Sequence, residues 1–186
     1  MRRIALTAAL TVAVLAGSAP AIAHGTGAEG QRKGEVWREI AGAAAATARY
    51  HRVGKAIRDG YVPFAIPEDV GGTLLTVGGE EITCFDSASG GMGVHYVRNI
   101  DDVLSPNDPE ALVYSIDENG RLELVALEYI IPEEFVDPAD PPELFGQALH
   151  HHSYLPVYIL HVWLWKRNPS GLFADFNPRV ASCPAG

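Results

Sequence analysis

The feature that most constrains the fold is a change of pattern near Gly72, where helical spacing of apolar residues gives way to short β-type runs. Apolar residues recur at helical spacing over 35–59, which predicts a helix there, with a candidate break at Gly54 and a candidate stop at Gly60. The β-type runs that follow alternate with turn-forming residues. The expected fold class is therefore α+β, with an N-terminal helix packed on a curved, mostly antiparallel sheet or partial β-barrel.

The clearest of the β-type runs form a predicted hairpin around Asn119-Gly120, a dipeptide that favours a tight left-handed turn. The other runs are rich in β-branched and aromatic residues and end at glycine, proline or acidic residues. The predicted strands are 73–77, 82–85, 94–97, 111–116, 122–131 and 154–165.

The first residues have the order of a secretory signal peptide. A basic head at Arg2 and Arg3 precedes an apolar run that is too short to span a bilayer comfortably, and Ala21-Ile22-Ala23 then forms a cleavage site. We therefore predict a signal peptide over 1–23 and a secreted or extracytoplasmic protein. No stable membrane anchor is expected after cleavage.

The mature chain predicted from this cleavage begins with a flexible, Gly-rich tail over 24–33. The remainder, 34–186, is long enough to bury one core and is expected to form a single α+β domain. The formal net charge of the whole chain is −9, and the signal removes two arginines and no acid. An acidic exported protein is a poor partner for nucleic acid, so that class of function is excluded.

Two cysteines are present, Cys84 and Cys183. In an oxidising compartment an isolated pair forms a disulfide far more often than a metal site. The sequence therefore predicts a Cys84–Cys183 disulfide that ties the C-terminal segment to an early strand.

Three polar residues lie in otherwise apolar predicted strands: His95, Glu128 and His161. A buried polar group needs a partner, so we expect the three to meet on one face of the sheet. Two imidazoles and a carboxylate suit zinc or another divalent transition metal with an open coordination position. They equally suit the polar floor of a small-molecule pocket. The alternative is that each is a core residue whose polar atoms are satisfied locally.

Aromatic residues near these positions are the expected walls of such a pocket. Tyr96 follows His95, and strand alternation places Trp163 and Trp165 on the face of His161. The predicted binding residues are His95, Tyr96, Glu128, His161 and Trp163, and the predicted metal ligands are His95, Glu128 and His161.

Several further residues are weaker candidates. The run of three histidines from His150 is expected in a solvated loop, with one of them contributing to a rim. Asp175 and Asn177, in turns near the C-terminus, are expected either to order those turns or to close over the site beside His161. His24 would become the N-terminal residue after cleavage, and an N-terminal histidine can chelate copper, as in secreted copper oxygenases of polysaccharides.

Four segments of the chain resemble a group of small exported bacterial proteins that are described only as hypothetical. The resemblance extends over about 46–183 and is carried by Gly91–Val97, Leu124–Tyr129, His161–Lys166 and Asn168–Gly171. No activity is established for that group, so the resemblance implies export and transfers no catalytic role.

The sequence favours a secreted globular domain that binds a small ligand or a metal ion in a sheet-lined pocket. One alternative is a secreted enzyme that uses a histidine and Glu128 as a general acid–base pair. Another is a cell-envelope interaction protein without a pocket, which would be favoured if the three polar residues lay far apart.

Overall fold

Helical backbone occupies the N-terminal part of the chain in the computed structural model, which describes residues 25–67 and 70–184. The predicted signal peptide and His24 lie outside the described residues. The helices are α1 (Gly25–Thr47), a 3₁₀ turn (Ala48–His51), α2 (Val53–Arg58) and a second 3₁₀ turn (Glu133–Phe135).

The start of α1 differs from the prediction, which had a flexible tail over 24–33 and a helix from residue 35. The helix instead extends back to Gly25. Glu29 and Lys33, one turn apart on this added length, form an ion pair with an Oε1–Nζ distance of 2.9 Å. Ion pairs at this spacing stabilise a helix locally. The glycine content of the segment conceals this helical tendency in the sequence.

The end of the helical region follows from backbone chemistry. Arg52 is extended and separates the 3₁₀ turn from α2, so the break comes before the predicted Gly54. Gly60 has a φ of 93°, and its N–H donates to the Ile57 carbonyl oxygen. The Tyr61 N–H reaches back to Ala56, which completes a Schellman motif and confirms the predicted stop at Gly60.

The strands match the predicted order along the chain. The bounds predicted for the strands 73–77 and 111–116 are those observed, and the strand predicted over 122–131 extends one residue further, to Pro132. The strands are β1 (Val62–Pro63), β2 (Thr73–Val77), β3 (Glu80–Ser87), β4 (Gly90–Val97), β5 (Ala111–Ile116), β6 (Leu122–Pro132), β7 (Glu143–Leu144), β8 (Gln147–Ala148), β9 (His150–His151) and β10 (Val157–Val162).

Eight of these strands form one sheet in the order β2-β3-β4-β5-β6-β10-β9, with β1 pairing beside β4. β7 and β8 form a separate two-stranded ribbon. The pairings found among the described strands are antiparallel. The expected α+β fold is confirmed, and the sheet is open, not closed into a barrel.

Both faces of the sheet are covered. We call one the helix face, because α1 and α2 pack on it through residues such as Ile40 and Ala56, together with Tyr114 and Leu127 of the sheet. We call the other the opposite face. Since side chains alternate along a strand, Val113 and Ala126 project there in a second, smaller core.

The C-terminal segment, 163–184, covers part of the opposite face. Val180 packs in the smaller core, and the Asn177 N–H donates to the Gly91 carbonyl oxygen at 2.9 Å. A Cβ on Gly91 would collide with the Ala181 carbonyl, so only glycine admits this approach. Cys84 and Cys183 form the predicted disulfide, with a Cα–Cα distance of 5.8 Å.

Candidate metal centre

Three central strands bring His95, Glu128 and His161 together on the opposite face. His161 of β10 lies directly across from Glu128 of β6. Ala111 of β5 lies on the other side of Glu128, and His95 of β4, which pairs with Val113 of β5, reaches the carboxylate across that strand. The register of the sheet therefore assembles the three predicted residues at one point.

The distances between their polar atoms are short. The Nε2 atom of His95 lies 3.3 Å from Oε2 of Glu128, and the Nε2 atom of His161 lies 3.5 Å from Oε1. One ligand atom from each residue lies within 4.8 Å of the other two. Ligand atoms on a tetrahedral zinc ion with bonds of about 2.0–2.1 Å are about 3.3–3.4 Å apart.

All three side chains are buried, yet the histidines lack hydrogen bonds. Neither ring nitrogen of His95 or of His161 has a hydrogen-bond partner within the described part of the chain. Burial lowers the pKa of His95 to about 3, with a further contribution from the nearby His161 and His152, so the His95 ring is neutral at pH 7. Burial also raises the pKa of Glu128.

Asp175 approaches His161 from the C-terminal segment. Its Oδ1 lies 3.4 Å from Nδ1 of His161, while its Oδ2 lies 3.1 Å from Nε2 of His150. Burial alone would raise the pKa of the Asp175 carboxyl, but the hydrogen bond with His150 and the neighbouring His161 hold that pKa below its usual range. An ionised carboxylate at Nδ1 favours the tautomer of His161 whose Nε2 lone pair faces Glu128.

A pocket of about 140 Å³ adjoins two of the three residues, His95 and Glu128. Its polar lining consists of His95, Glu128 and His152. The apolar lining is larger and comes from both sheet and loops: Phe64, Phe85, Met92, Val97, Ile100, Ile130, Leu155, Pro156, Val157 and Ile159. The site thus has one polar end and an apolar body.

None of the three predicted aromatic walls lines the pocket, and they divide between the two faces. The ring of Trp163 lies beside that of His161, with centroids 6.3 Å apart and an interplanar angle of 15°. Tyr96 does not reach the site: it projects onto the helix face, where its ring packs against Tyr114. Trp165 also packs towards the helix face, against His51. β10 ends at Val162, so alternation does not extend to Trp165.

The weaker candidates have separate roles. His150 contacts Asp175, His151 pairs with Glu133 at the surface with an Nε2–Oε2 distance of 2.8 Å, and His152 lines the pocket. Asn177 is buried and holds a turn, since its amide donates to the Lys166 carbonyl oxygen and its Oδ1 accepts the Arg179 N–H. The sequence gives no signal for the contact between His150 and Asp175, because His150 lies in the short edge strand β9 and Asp175 in the irregular C-terminal segment.

Comparison with known proteins adds no assignment: a scan of family models and searches of curated proteins and of solved structures found no match. The resemblance to hypothetical exported proteins stays a prediction. Among the helices of the described residues, none is both long and apolar enough to cross a membrane.

Proposed function

We propose that this protein binds a divalent transition metal ion through His95, Glu128 and His161. The observation that carries the proposal is the arrangement of two buried imidazoles that aim Nε2 atoms at one buried carboxylate without forming hydrogen bonds. Two histidines and one carboxylate are a donor set used by zinc enzymes and by non-haem iron sites.

The energetic argument concerns the unpaired ring nitrogens. A buried polar atom without a partner costs about 1–3 kcal/mol, and this site contains several such atoms. A neutral imidazole is the form that binds a metal, and burial keeps His95 neutral. A metal ion bound between the two Nε2 atoms and the Glu128 carboxylate would give each Nε2 lone pair a partner.

The surroundings of His161 support the same conclusion. Metal-bound histidines commonly donate the second ring N–H to a carboxylate, which fixes the ring and its tautomer. Asp175 occupies that position at Nδ1 of His161, and His150 holds Asp175 in turn. The pocket beside His95 and Glu128 leaves space for a further ligand on the metal.

The test is metal analysis of the full exported protein, purified without a histidine tag. After chelation, titration with Zn²⁺ and with Co²⁺ is expected to give one ion per chain, and Co²⁺ should produce visible d–d absorption bands. His95→Gln and His161→Gln should each weaken binding by at least about tenfold, the lower end of the loss seen when even a residue that only supports a metal ligand is replaced.

His151→Gln is the matched control, because His151 also contacts a carboxylate but lies at the surface away from the site. It should bind metal as the unaltered chain does. Absence of stoichiometric binding, or binding that survives both site substitutions, would overturn the proposal.

An enzyme is a second candidate, favoured by one observation. His95 and Glu128 form an imidazole–carboxylate contact that lines a pocket, and burial raises the Glu128 pKa towards the range of a general acid–base group. Hydrolysis of 4-nitrophenyl acetate by the chelated protein, lost in Glu128→Gln and kept in the exposed control Glu123→Gln, would favour it. Absence of metal-independent turnover would count against it.

Export is part of the proposal. The Cys84–Cys183 disulfide is consistent with an oxidising, extracytoplasmic location. We infer that the signal peptide predicted over 1–23 directs the protein there, and N-terminal sequencing of the exported protein should begin at His24. The acidic balance makes nucleic acid an unfavourable partner. The interaction-protein alternative was tied to widely separated polar residues, which is not the arrangement observed.

A further inference from the structure

We propose that the pocket beside the metal centre binds a small phenol-type molecule, one aromatic ring with one oxygen donor, with the oxygen at the end formed by His95 and Glu128. This inference rests on the proposed metal-binding function and specifies the ligand class of the same site. It follows from the size of the pocket, the chemistry of its walls and the charge of its polar end.

The size of the pocket limits the ligand to about one ring. Its volume is about 140 Å³. An engineered apolar cavity of about 150 Å³ in another protein binds benzene, so the two volumes set a similar limit.

The walls favour an aromatic body over an aliphatic one. The rings of Phe64 and Phe85 lie near parallel, with centroids 6.4 Å apart, and the His95 ring meets Phe85 edge to face at 5.5 Å. Met92 adds a polarisable thioether to the same pocket. Aromatic rings and thioethers both make favourable contacts with a bound ring beyond simple burial of area.

The polar end favours a single oxygen that carries negative charge. A divalent ion with the Glu128 carboxylate and two neutral imidazoles has a net charge of +1, which one phenolate oxygen would balance. His152 supplies a donor: its Nδ1 accepts backbone N–H groups of Tyr154 and Leu155, so the neutral ring carries its proton on Nε2.

The test uses the full Co²⁺-loaded protein and phenol as the probe. Phenol should change the visible Co²⁺ spectrum saturably, with a dissociation constant of about 10 mM or tighter. Toluene, the matched ring without the oxygen, should bind at least about tenfold more weakly, as should phenol to the chelated protein.

Substitutions separate the pocket from the metal. Val97→Phe should fill the pocket and weaken phenol binding at least about tenfold while one Co²⁺ per chain is retained. Val103→Phe, at an exposed position outside the pocket, is the matched control and should bind phenol normally. If Val97→Phe fails to fold, Ile100→Trp at the rim serves the same purpose.

The outcomes distinguish the two proposals. A chain that binds Co²⁺ but shows no phenol-dependent spectral change overturns this inference and leaves metal binding intact. Phenol binding that is unaffected by Val97→Phe and Ile100→Trp also overturns it, because the ligand then lies elsewhere. A chain that binds no metal overturns the proposed function and this inference together.

Discussion

On the helix face the buried tyrosine hydroxyls are paired within the protein, whereas on the opposite face the buried imidazoles are not. Tyr61, Tyr114 and Tyr129 each donate a hydrogen bond to a backbone carbonyl oxygen, at distances of 2.7, 2.7 and 2.6 Å. His95 and His161 are equally buried, yet their ring nitrogens have no such partner among the described residues.

The difference separates two uses of a buried polar group. A paired hydroxyl orients its neighbours and contributes about 0.5–1.5 kcal/mol to folding. An unpaired imidazole costs free energy unless something outside the chain completes its contacts. The three tyrosine hydroxyls therefore act within the fold, while the two imidazoles of the opposite face have the free nitrogen atoms that the proposed metal ion would use.

The largest change in the free energy of unfolding is expected from removal of the disulfide, which anchors the C-terminal segment that covers part of the opposite face. The bridge closes a sequence separation of 99 residues. Chain entropy predicts that Cys84→Ala/Cys183→Ala lowers the free energy of unfolding by about 3–5 kcal/mol. Urea denaturation measures this loss.

Zn²⁺ affinity should fall in the same double variant, because Asp175 lies on the segment that the bridge anchors. Reduction of the unaltered chain by a phosphine is the control and should reproduce the loss of stability. A loss below about 1 kcal/mol would show that the C-terminal segment is held by its other contacts.

A second effect concerns Glu110, a buried carboxyl that does have a partner. Its Oε2 accepts the Ile130 N–H at 3.0 Å. Burial raises its pKa to about 8, so the folded chain holds a proton that the unfolded chain loses between about pH 4.5 and 8. Its contribution to stability is full below about pH 4.5 and is lost as the pH rises through about 8.

Glu110→Gln keeps the acceptor and removes the titration. Between pH 5 and pH 8 the variant should therefore gain about 2–4 kcal/mol of stability relative to the unaltered chain. Urea denaturation at the two pH values measures the difference, with Glu118→Gln in the exposed β5–β6 turn as the control. Equal slopes for Glu110→Gln and the unaltered chain would contradict the prediction.

Tyr114→Phe tests the paired face directly. The substitution removes the hydroxyl that donates to the Tyr50 carbonyl oxygen and leaves that buried oxygen without its partner. We expect the free energy of unfolding to fall by about 1–2 kcal/mol, with Zn²⁺ affinity unchanged. Chemical denaturation and a zinc titration check both parts, and a coupled change in affinity would show that the two faces are not independent.

His95→Leu is the counterpart on the unpaired face and should have the smallest effect on folding. In chelated protein it should leave stability unchanged or raise it by up to about 1 kcal/mol, because two unpaired nitrogens are replaced by apolar atoms of similar volume. Zn²⁺ should no longer raise the melting temperature. A destabilisation above about 1 kcal/mol without metal would show that the imidazole is already satisfied.

The sequence predicted the parts of this comparison that depend on local pattern. The prediction of the β5–β6 hairpin is confirmed because Asn119-Gly120 favours a turn, and Gly120 adopts the left-handed conformation with a φ of 75°. The disulfide was predicted from compartment chemistry. Convergence of His95, Glu128 and His161 was expected because apolar strands do not tolerate unpartnered polar groups.

The errors concern residues whose surroundings in the fold differ from what the local sequence pattern indicates. Tyr96 was assigned to the pocket, although strand alternation sends the residue after His95 to the other face. The extension of α1 back to Gly25 was concealed by its glycines. The contact of Asp175 with His150 depends on how the irregular C-terminal segment packs against the edge strand β9, which no periodic pattern encodes.

The position of Trp163 gives the protein a built-in optical reporter. Its indole lies parallel to the His161 ring and is 2% exposed, while Trp37 on α1 is 62% exposed. Iodide dissolved in the solvent therefore quenches the emission of Trp37 and spares that of Trp163. At the proposed metal centre, a paramagnetic ion held by His161 would quench the buried indole from within, so binding of Co²⁺ would be detected in the fluorescence of the unlabelled chain.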